Sequence, residues 1–375
     1  MSDFDPTIPY LVPQITTKQL RAAEKLAAED IKRARVAIAK IEGFLDAIPN
    51  AHGAMMNPIY LKEALESSEI ENINTTLLEV LQQRLNPVKK SQSNSQLVVN
   101  YFYALNWGVT NLDAVNLSNQ LIKGLHHRLI PTEDPEYRRV PVYIGDGRGA
   151  VRYTPPEAQH IPHLIGEWQK LVNNSVKIDP LVLASAGHYQ FEAIHPFTDG
   201  NGRTGRMLLT LHLVHAKLLS APAIHISQYI NSNKSKYYQL LRAATEKGEL
   251  EQFVHYLIKG FAQQAQLSYR LLRNLDRMRN ECKRSIRTNM SNIYSAELIE
   301  AIFVNPVQTP VNLAKDLNIH YVTASKYLKA LAQAGHLSTF KHGRNVYYVN
   351  TKMLALLEEK GRQRFNDLNS SLSSN

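Results

Sequence analysis

Twelve consecutive residues, His195-Pro196-Phe197-Thr198-Asp199-Gly200-Asn201-Gly202-Arg203-Thr204-Gly205-Arg206, hold the densest chemistry in the chain. His195 has an ordinary imidazole pKa near 6.5, so it can accept a proton at neutral pH. Asp199 offers a hard oxygen of the kind Mg2+ takes, one or two carboxylates being completed by phosphate oxygens. The three glycines let an anion approach the backbone closely. The helix that the run opens would turn its free N–H groups and its dipole toward that anion. Arg203 and Arg206 lie one helical turn apart, so both guanidinium groups can reach a polyphosphate. A base, a metal ligand, an anion cradle and two clamps in one loop describe a phosphoryl-transfer site. Each part alone is commonplace; their coincidence is not.

The run is similar to the signature of the Fic family, His-Pro-Phe-x-(Asp/Glu)-Gly-Asn-Gly-Arg-x-x-Arg, and matches every fixed position. The resemblance covers about residues 1–270 and implies protein adenylylation: transfer of AMP from ATP to Ser, Thr or Tyr hydroxyls of a target protein and of the enzyme itself. Under it, His195 is the catalytic base. Asp199 holds Mg2+ against the α- and β-phosphates. Asn201, with the Gly200 and Gly202 backbone, binds the α-phosphate. Arg203 reaches the β-phosphate and Arg206 the γ-phosphate, and Thr204 and Gly205 complete the ATP-binding run. Phe197 anchors the loop in the core.

The resemblance extends to three other places. A hairpin over about 138–153 corresponds to a flap, with Val142, Tyr143, Ile144 and Gly145 over the nucleotide and an open edge to pair with an extended target segment. Tyr237 and Tyr238 match a Tyr-Tyr pair lining the nucleotide site in relatives, where an aromatic ring can stack on adenine. Ser67-Ser68-Glu69-Ile70-Glu71-Asn72 fits an inhibitory pattern, (Ser/Thr)-x-x-x-Glu-(Gly/Asn). It implies that Glu71, with Ser67 and Asn72, pairs with Arg206 and denies that arginine to the γ-phosphate. Relatives of this architecture often dimerise, so a homodimer is implied as well.

These groups need a helical scaffold. Leu20, Ala23, Ala27, Ile31, Ala34, Ile38, Ile41 and Leu45 recur at helical spacing and predict one helix over 17–48, stopped by Pro49-Asn50. Two shorter helices are expected within 57–86, parted near 67–74, then a loop over 89–96 and helical periodicity over 98–130. Val140, Val142 and Ile144 alternate with Pro141 and Tyr143 ahead of Gly145-Asp146-Gly147, the pattern of a hairpin. Helices follow at about 157–173, 179–193, from the Gly-rich loop to 219, 234–246 and 249–290. The expected fold is mainly α: a Fic-like helical bundle with one hairpin flap.

Residues 295–375 read as a separate winged helix. One helix ends at Asn305-Pro306; two more, 310–317 and 322–334, flank the turn Asn318-Ile319-His320; two strands, 337–340 and 346–349, surround Lys341-His342-Gly343-Arg344. Thr323, Ser325, Lys326 and Lys329 are candidates for DNA contact from the recognition helix, and Lys341, His342 and Arg344 from the wing. The division expected is 1–105 with the inhibitory segment, 106–268 catalytic, 269–292 a basic linker helix, 293–365 the winged helix and 366–375 a Ser- and Asn-rich disordered tail.

Composition narrows the partners. The 375 residues are 44% hydrophobic and 20% charged, ordinary for a soluble globular protein. One cysteine, Cys282, excludes an intramolecular disulfide and a cysteine metal cage. The N-terminal residues do not read as a signal peptide and no window reads as a membrane span, so a cytoplasmic location is expected. A net charge of +10 favours polyanions, and seven Arg and Lys between Arg270 and Arg287 concentrate it. Two competing readings are a DNA-binding regulator that only senses nucleotide, and an enzyme of this fold that removes AMP or transfers another nucleotide. His195 and Asp199 favour transfer, because a sensor requires no base.

Overall fold

The computed structural model describes residues 4–48, 52–85, 93–145, 149–173, 177–342 and 345–358. Contacts divide the chain into two units. The first comprises Met1–Gly43, Glu66–Ile73 and Asn100–Gln266, and the second Phe44–Leu65, Asn74–Val99 and Leu267–Asn375.

Helices dominate, as the periodicity predicts. α1 (Thr17–Leu26) begins with a reciprocal cap, the Thr16 hydroxyl accepting from the Gln19 N–H while the Gln19 side chain accepts from the Thr16 N–H. α2 (Ala28–Asp46) follows, so the single helix expected over 17–48 is two, parted at Ala27. Alanine carries no stop signal, which is why the pattern hid the break; the expected stop at Pro49-Asn50 lies outside the described residues. A π-helical turn (His52–Met56) leads into α3 (Asn57–Ile70), followed by α4 (Leu77–Leu85). Ser67 and Ser68, expected in the gap, finish α3; both are buried. α5 (Asn94–Val115) takes in Gln96, expected in a loop. Asn116, in the left-handed region at φ 52°, ends it, and Ser118 caps α6 (Asn119–Leu129).

The hairpin is shorter than expected. β1 (Ile144–Gly145) pairs antiparallel with β2 (Val151–Tyr153), with a register shift at Ile144/Gly145. Pro141 has no N–H to give a ladder, so the Val140–Val142 alternation does not become strand. The turn residues Asp146 and Gly147 lie outside the described residues. A 3-10 turn (Ala158–His160), α7 (Ile161–Val172), α8 (Pro180–Ile194) and α9 (Asn201–His215) come next, then α10 (Ile226–Ser232), α11 (Lys234–Lys247) and α12 (Leu250–Asn289). α10 was not expected, and α9 stops four residues short of 219.

The core of the first unit is built on α8 and α9. α8 starts with Pro180 behind an Asp179 cap, and nearly every residue from Leu181 to Ile194 is buried. Its apolar residues are spread around the helix, with Ser185, His188 and Gln190 buried among them, so it belongs inside. α9 is buried from Arg203 to Val214. The two pack so closely that a Cβ on Gly205 would come within 2.3 Å of Glu192 Oε1 and 3.1 Å of the Phe191 ring. The loop between them is therefore presented by the most deeply packed pair of helices.

In the second unit α13 (Ala296–Val304), β3 (Val307–Gln308), α14 (Pro310–Leu317), α15 (Tyr321–Gln333), β4 (Ser338–His342), β5 (Asn345–Val349) and α16 (Thr351–Leu357) form the winged helix. Thr309 caps α14, and Asn318, at φ 49°, makes the turn into α15. The sheet has three strands in the order β3-β5-β4, with Phe340 opposite Tyr347 and their rings stacked at 5.0 Å. Two strands were expected. The third, the two residues that directly follow Pro306, is too short to leave a pattern, and α16 was likewise unforeseen. The wing residue Arg344 and the tail 366–375 lie outside the described residues. Among the described residues no helix is long and apolar enough to cross a membrane.

Candidate active site

The loop between α8 and α9 is set by its own backbone. His195 ends α8 in the left-handed region (φ 50°, ψ 62°), its N–H donating to the Phe191 carbonyl at 3.0 Å. Such φ is uncommon outside glycine and needs a scaffold to hold it. Asn201 supplies part of that scaffold: its amide accepts from the Phe197 N–H at 2.9 Å and donates to the Phe197 carbonyl at 2.8 Å. The Phe197 ring is buried and stacks on His126 at 3.6 Å, and His126 Nε2 donates to the Asp199 carbonyl at 3.1 Å. Gly200 then enters α9 at φ +76°, and a Cβ there would meet Ile130 Cδ1 at 2.8 Å. No side chain caps α9. Its first N–H groups thus remain an anion cradle.

An anion already lies over that cradle. Glu71 Oε1 is 2.5 Å from where a Cβ on Gly202 would stand, and accepts from Arg206 Nη2 at 2.7 Å. Arg206 is 1% exposed and is further held by Ser67, its Nε donating to Ser67 Oγ at 2.8 Å and its Nη2 to the Ser67 carbonyl at 2.9 Å. Burial opposes ionisation of Glu71, but Arg206, aided by Arg203 and Lys234, outweighs it and holds the carboxyl below its usual range. Lys234 also donates to the Ile70 carbonyl and, at 3.4 Å, to Asn72 Oδ1. Burial, and next the charge of Arg138, push the His195 imidazole down to about 4. His195 is therefore neutral at physiological pH and able to accept a proton.

A cavity of about 800 Å³ opens on these groups, a size that suits a nucleotide. Its wall brings together the expected residues Glu71, Asn72, Ile144, Gly145, His195, Gly202, Arg206, Tyr237 and Tyr238. Asp199, Gly200 and Arg203 lie in the adjoining turn. Others in the expected set point elsewhere. Asn201 spends its amide on Phe197, so its contribution is to the loop. Thr204 is fully buried, and Gly205 faces α8. Val142 and Tyr143 precede the paired strand and do not line the cavity; Tyr143 is exposed. Tyr237 is mostly core, its hydroxyl 2.9 Å from His188 Nε2, whereas Tyr238 is partly exposed.

Sequence reasoning missed Glu192, Lys234, Arg152, Tyr153, Leu241, Arg242, Thr245 and Phe4 on the cavity wall. Only Glu192 left a signal, standing one helical turn before His195. Burial raises its carboxyl to about 7 despite the opposing charge of Arg206, and its Oε1 is buried without a hydrogen-bond partner.

The residues present fit magnesium delivered with a polyphosphate. Among the described residues no group of three or more His, Cys, Asp or Glu side chains forms a protein-only metal site. Asp199, whose side chain is 71% exposed, offers one carboxylate beside the cradle, 3.5 Å from Arg203. Arg203 Nε and Nη1 are buried without hydrogen-bond partners, donors suited to phosphate oxygens.

Residues 116–213 match the Fic/DOC family, residues 28–110 the Fic/DOC family N-terminal region, and residues 278–353 the C-terminal domain of SoFic-like protein adenylyltransferases. The chain is similar to the protein adenylyltransferase Fic of Drosophila melanogaster, 28% identical over 226 residues, which are 57% of this chain and 43% of that protein. The match thus spans less than half the length of that relative. A Fic family protein from Desulfovibrio desulfuricans G20 has the same fold, with a TM-score of 0.53 at 22% identity over 91% of this chain and 98% of the other. Fic-1 from C. elegans aligns with a TM-score of 0.50 at 21% identity, covering 68% of this chain and 74% of the other.

Proposed function

Because the chain belongs to the Fic/DOC family, we propose that it transfers AMP from ATP to a Ser, Thr or Tyr hydroxyl of a target protein, and of itself, and that Glu71 restrains the reaction. The observation that carries this reading is the neutral imidazole of His195 on the wall of the cavity that also holds Gly202 and Arg206. In the reaction the target oxygen bonds to the α-phosphorus as its proton passes to the His195 imidazole. The bond from the α-phosphorus to the bridging oxygen breaks, and pyrophosphate leaves. The α9 N–H groups, Arg203 and, once free, Arg206 would stabilise the charge on the phosphates, which with positioning is the main source of rate in phosphoryl transfer. Asp199 would hold Mg2+, which when bound offsets phosphate charge.

The restraint follows from the same geometry. Arg206 cannot serve Glu71 and a γ-phosphate together, and the Glu71 carboxylate lies over Gly202 where phosphate would approach. Couplings of this kind are about 1–3 kcal/mol, or 5–150-fold. Glu71→Gly is therefore expected to raise labelling from ATP radiolabelled at the α-phosphate by that factor, with label from the γ-phosphate absent. Equal labelling by wild type and Glu71→Gly would overturn the restraint. Label from another nucleoside triphosphate, or release of AMP from a modified target, would replace the reaction proposed.

A second activity is favoured by α12. Arg270, Arg273, Arg277, Asn280, Arg284 and Arg287 follow one another at spacings of three and four, and all are exposed. That is one face of a helix about 25 Å long, bordered by Asp276, which accepts from Asn280 at 3.0 Å, and by the exposed Glu281. With Lys326 and Lys329 exposed on α15, it supports a polyanion surface on the second unit, with duplex DNA as the partner. Thr323 and Ser325 are half-buried, and Tyr321 and Val322 beside them are exposed.

A further inference from the structure

Arg138 makes four hydrogen bonds, and every one goes to a main-chain carbonyl. Its N–H donates to the Pro196 carbonyl at 2.9 Å and its Nε to the His195 carbonyl at 2.9 Å. Its Nη1 donates to the Val140 carbonyl at 3.2 Å and its Nη2 to the Pro156 carbonyl at 2.6 Å. One residue thus grips the two consecutive carbonyls that follow the left-handed His195, and the chain on either side of the β1–β2 hairpin. Tyr153 of β2 adds a parallel tie, its hydroxyl donating to the Ala193 carbonyl at 2.6 Å.

The arrangement is costly to build. Arg138 is 5% exposed, and among the described residues no carboxylate is paired with it. Burying a guanidinium without a counterion is unfavourable unless its N–H groups are satisfied, and here carbonyls satisfy them. An apolar residue could fill the same space. What it could not do is hold an imidazole in an uncommon backbone conformation and fix the hairpin to it at once.

We propose that Arg138 is the positioning residue of the site: it locks the His195 backbone and joins it to the β1–β2 hairpin, so that base and hairpin keep one register. The inference rests on the adenylyl-transfer reading, in which a target segment pairs along the hairpin edge. A hydroxyl delivered there would then meet the imidazole at a fixed distance. Arg138 is absent from the cavity wall, so a nucleotide held there would not touch it.

The test uses the full chain carrying Glu71→Gly, with Arg138→Lys and Arg138→Met added separately. Lys keeps the charge and loses the fork; Met keeps the bulk, removes the buried charge and leaves the His195, Val140 and Pro156 carbonyls without that donor. A misplacement of about 1 Å can cost roughly 10²-fold in rate. In both variants kcat is expected to fall about 10–100-fold, with KM for ATP within about threefold of the parent. Hydrogen exchange gives a readout apart from activity: the backbone amides of His195 and of the hairpin should lose protection together, while those of α5 keep it. Parental kcat in either folded variant would overturn the proposal, and so would loss of protection in the hairpin with His195 unchanged. If the Glu71→Gly parent transfers no AMP, the adenylyl-transfer reading fails, and the exchange data still decide whether Arg138 couples base and hairpin.

Discussion

Arg206 is gripped by three acceptors from the end of α3, Ser67 Oγ, Ser67 O and Glu71 Oε1, and Glu192 is near enough to feel its charge. The two carboxylates differ in state. Glu71 is held ionised by its hydrogen-bonded pair, whereas burial raises Glu192 to about 7. A carboxyl whose folded pKa is raised stabilises the fold fully below its unfolded pKa of about 4.5, and that contribution is lost as pH rises through about 7. Glu192→Gln, which cannot ionise, should therefore unfold at higher denaturant than wild type at pH 8, by on the order of 1–3 kcal/mol. The difference should vanish below about pH 4.5; an equal midpoint at both pH values would contradict it. The principal site residues were legible because the loop names its chemistry by residue type. Asn201, Thr204 and Gly205 were in the right motif but carry structure, since side-chain direction is decided by packing that spacing does not express. Arg138 was invisible: nothing in Tyr137-Arg138-Arg139 tells the buried arginine from its exposed neighbour.

The α8–loop–α9 element was plain in the sequence, with an apolar helix, a Gly-rich stop and a helix restart. Gly200 tests its rigidity. Alanine there would keep a left-handed φ of +76° and push into Ile130, whereas Gly149, at φ +96°, has open space around a Cβ. Gly200→Ala is expected to lower stability by about 2–3 kcal/mol and Gly149→Ala by about 1 kcal/mol, measured by denaturant unfolding. Equal losses would show that the contact with Ile130 yields. The hairpin was harder to read: a run of alternating residues promised long strands, and with Pro141 in it the paired strands among the described residues are Ile144–Gly145 and Val151–Tyr153. α10, α16 and β3 escaped because seven residues or fewer carry little periodicity.

For the whole molecule, the sequence predicts a helical part and a winged helix, but not that compact units draw on separated stretches of chain. Such assembly depends on contacts distant in sequence, which periodicity cannot reveal. The charge of +10 is distributed with purpose if the α12 stripe binds duplex DNA. Reversing two of its arginines, Arg277→Glu with Arg284→Glu, should weaken duplex binding at least tenfold at low salt and flatten its salt dependence. Fluorescence anisotropy across a salt series measures this, and AMP transfer should be unaltered. Wild-type affinity in the double variant would remove the stripe from any nucleic-acid role.

In the proposed reaction His195 takes the proton of the incoming hydroxyl while other groups bind ATP. A positioned base contributes roughly 10²–10⁴-fold. The most direct measurement is single-turnover AMP transfer by Glu71→Gly with and without His195→Ala, beside calorimetric ATP binding by both. Transfer should fall by at least 10²-fold with ATP affinity within about threefold. Transfer at the parental rate in the His195→Ala chain would show that His195 is not the base.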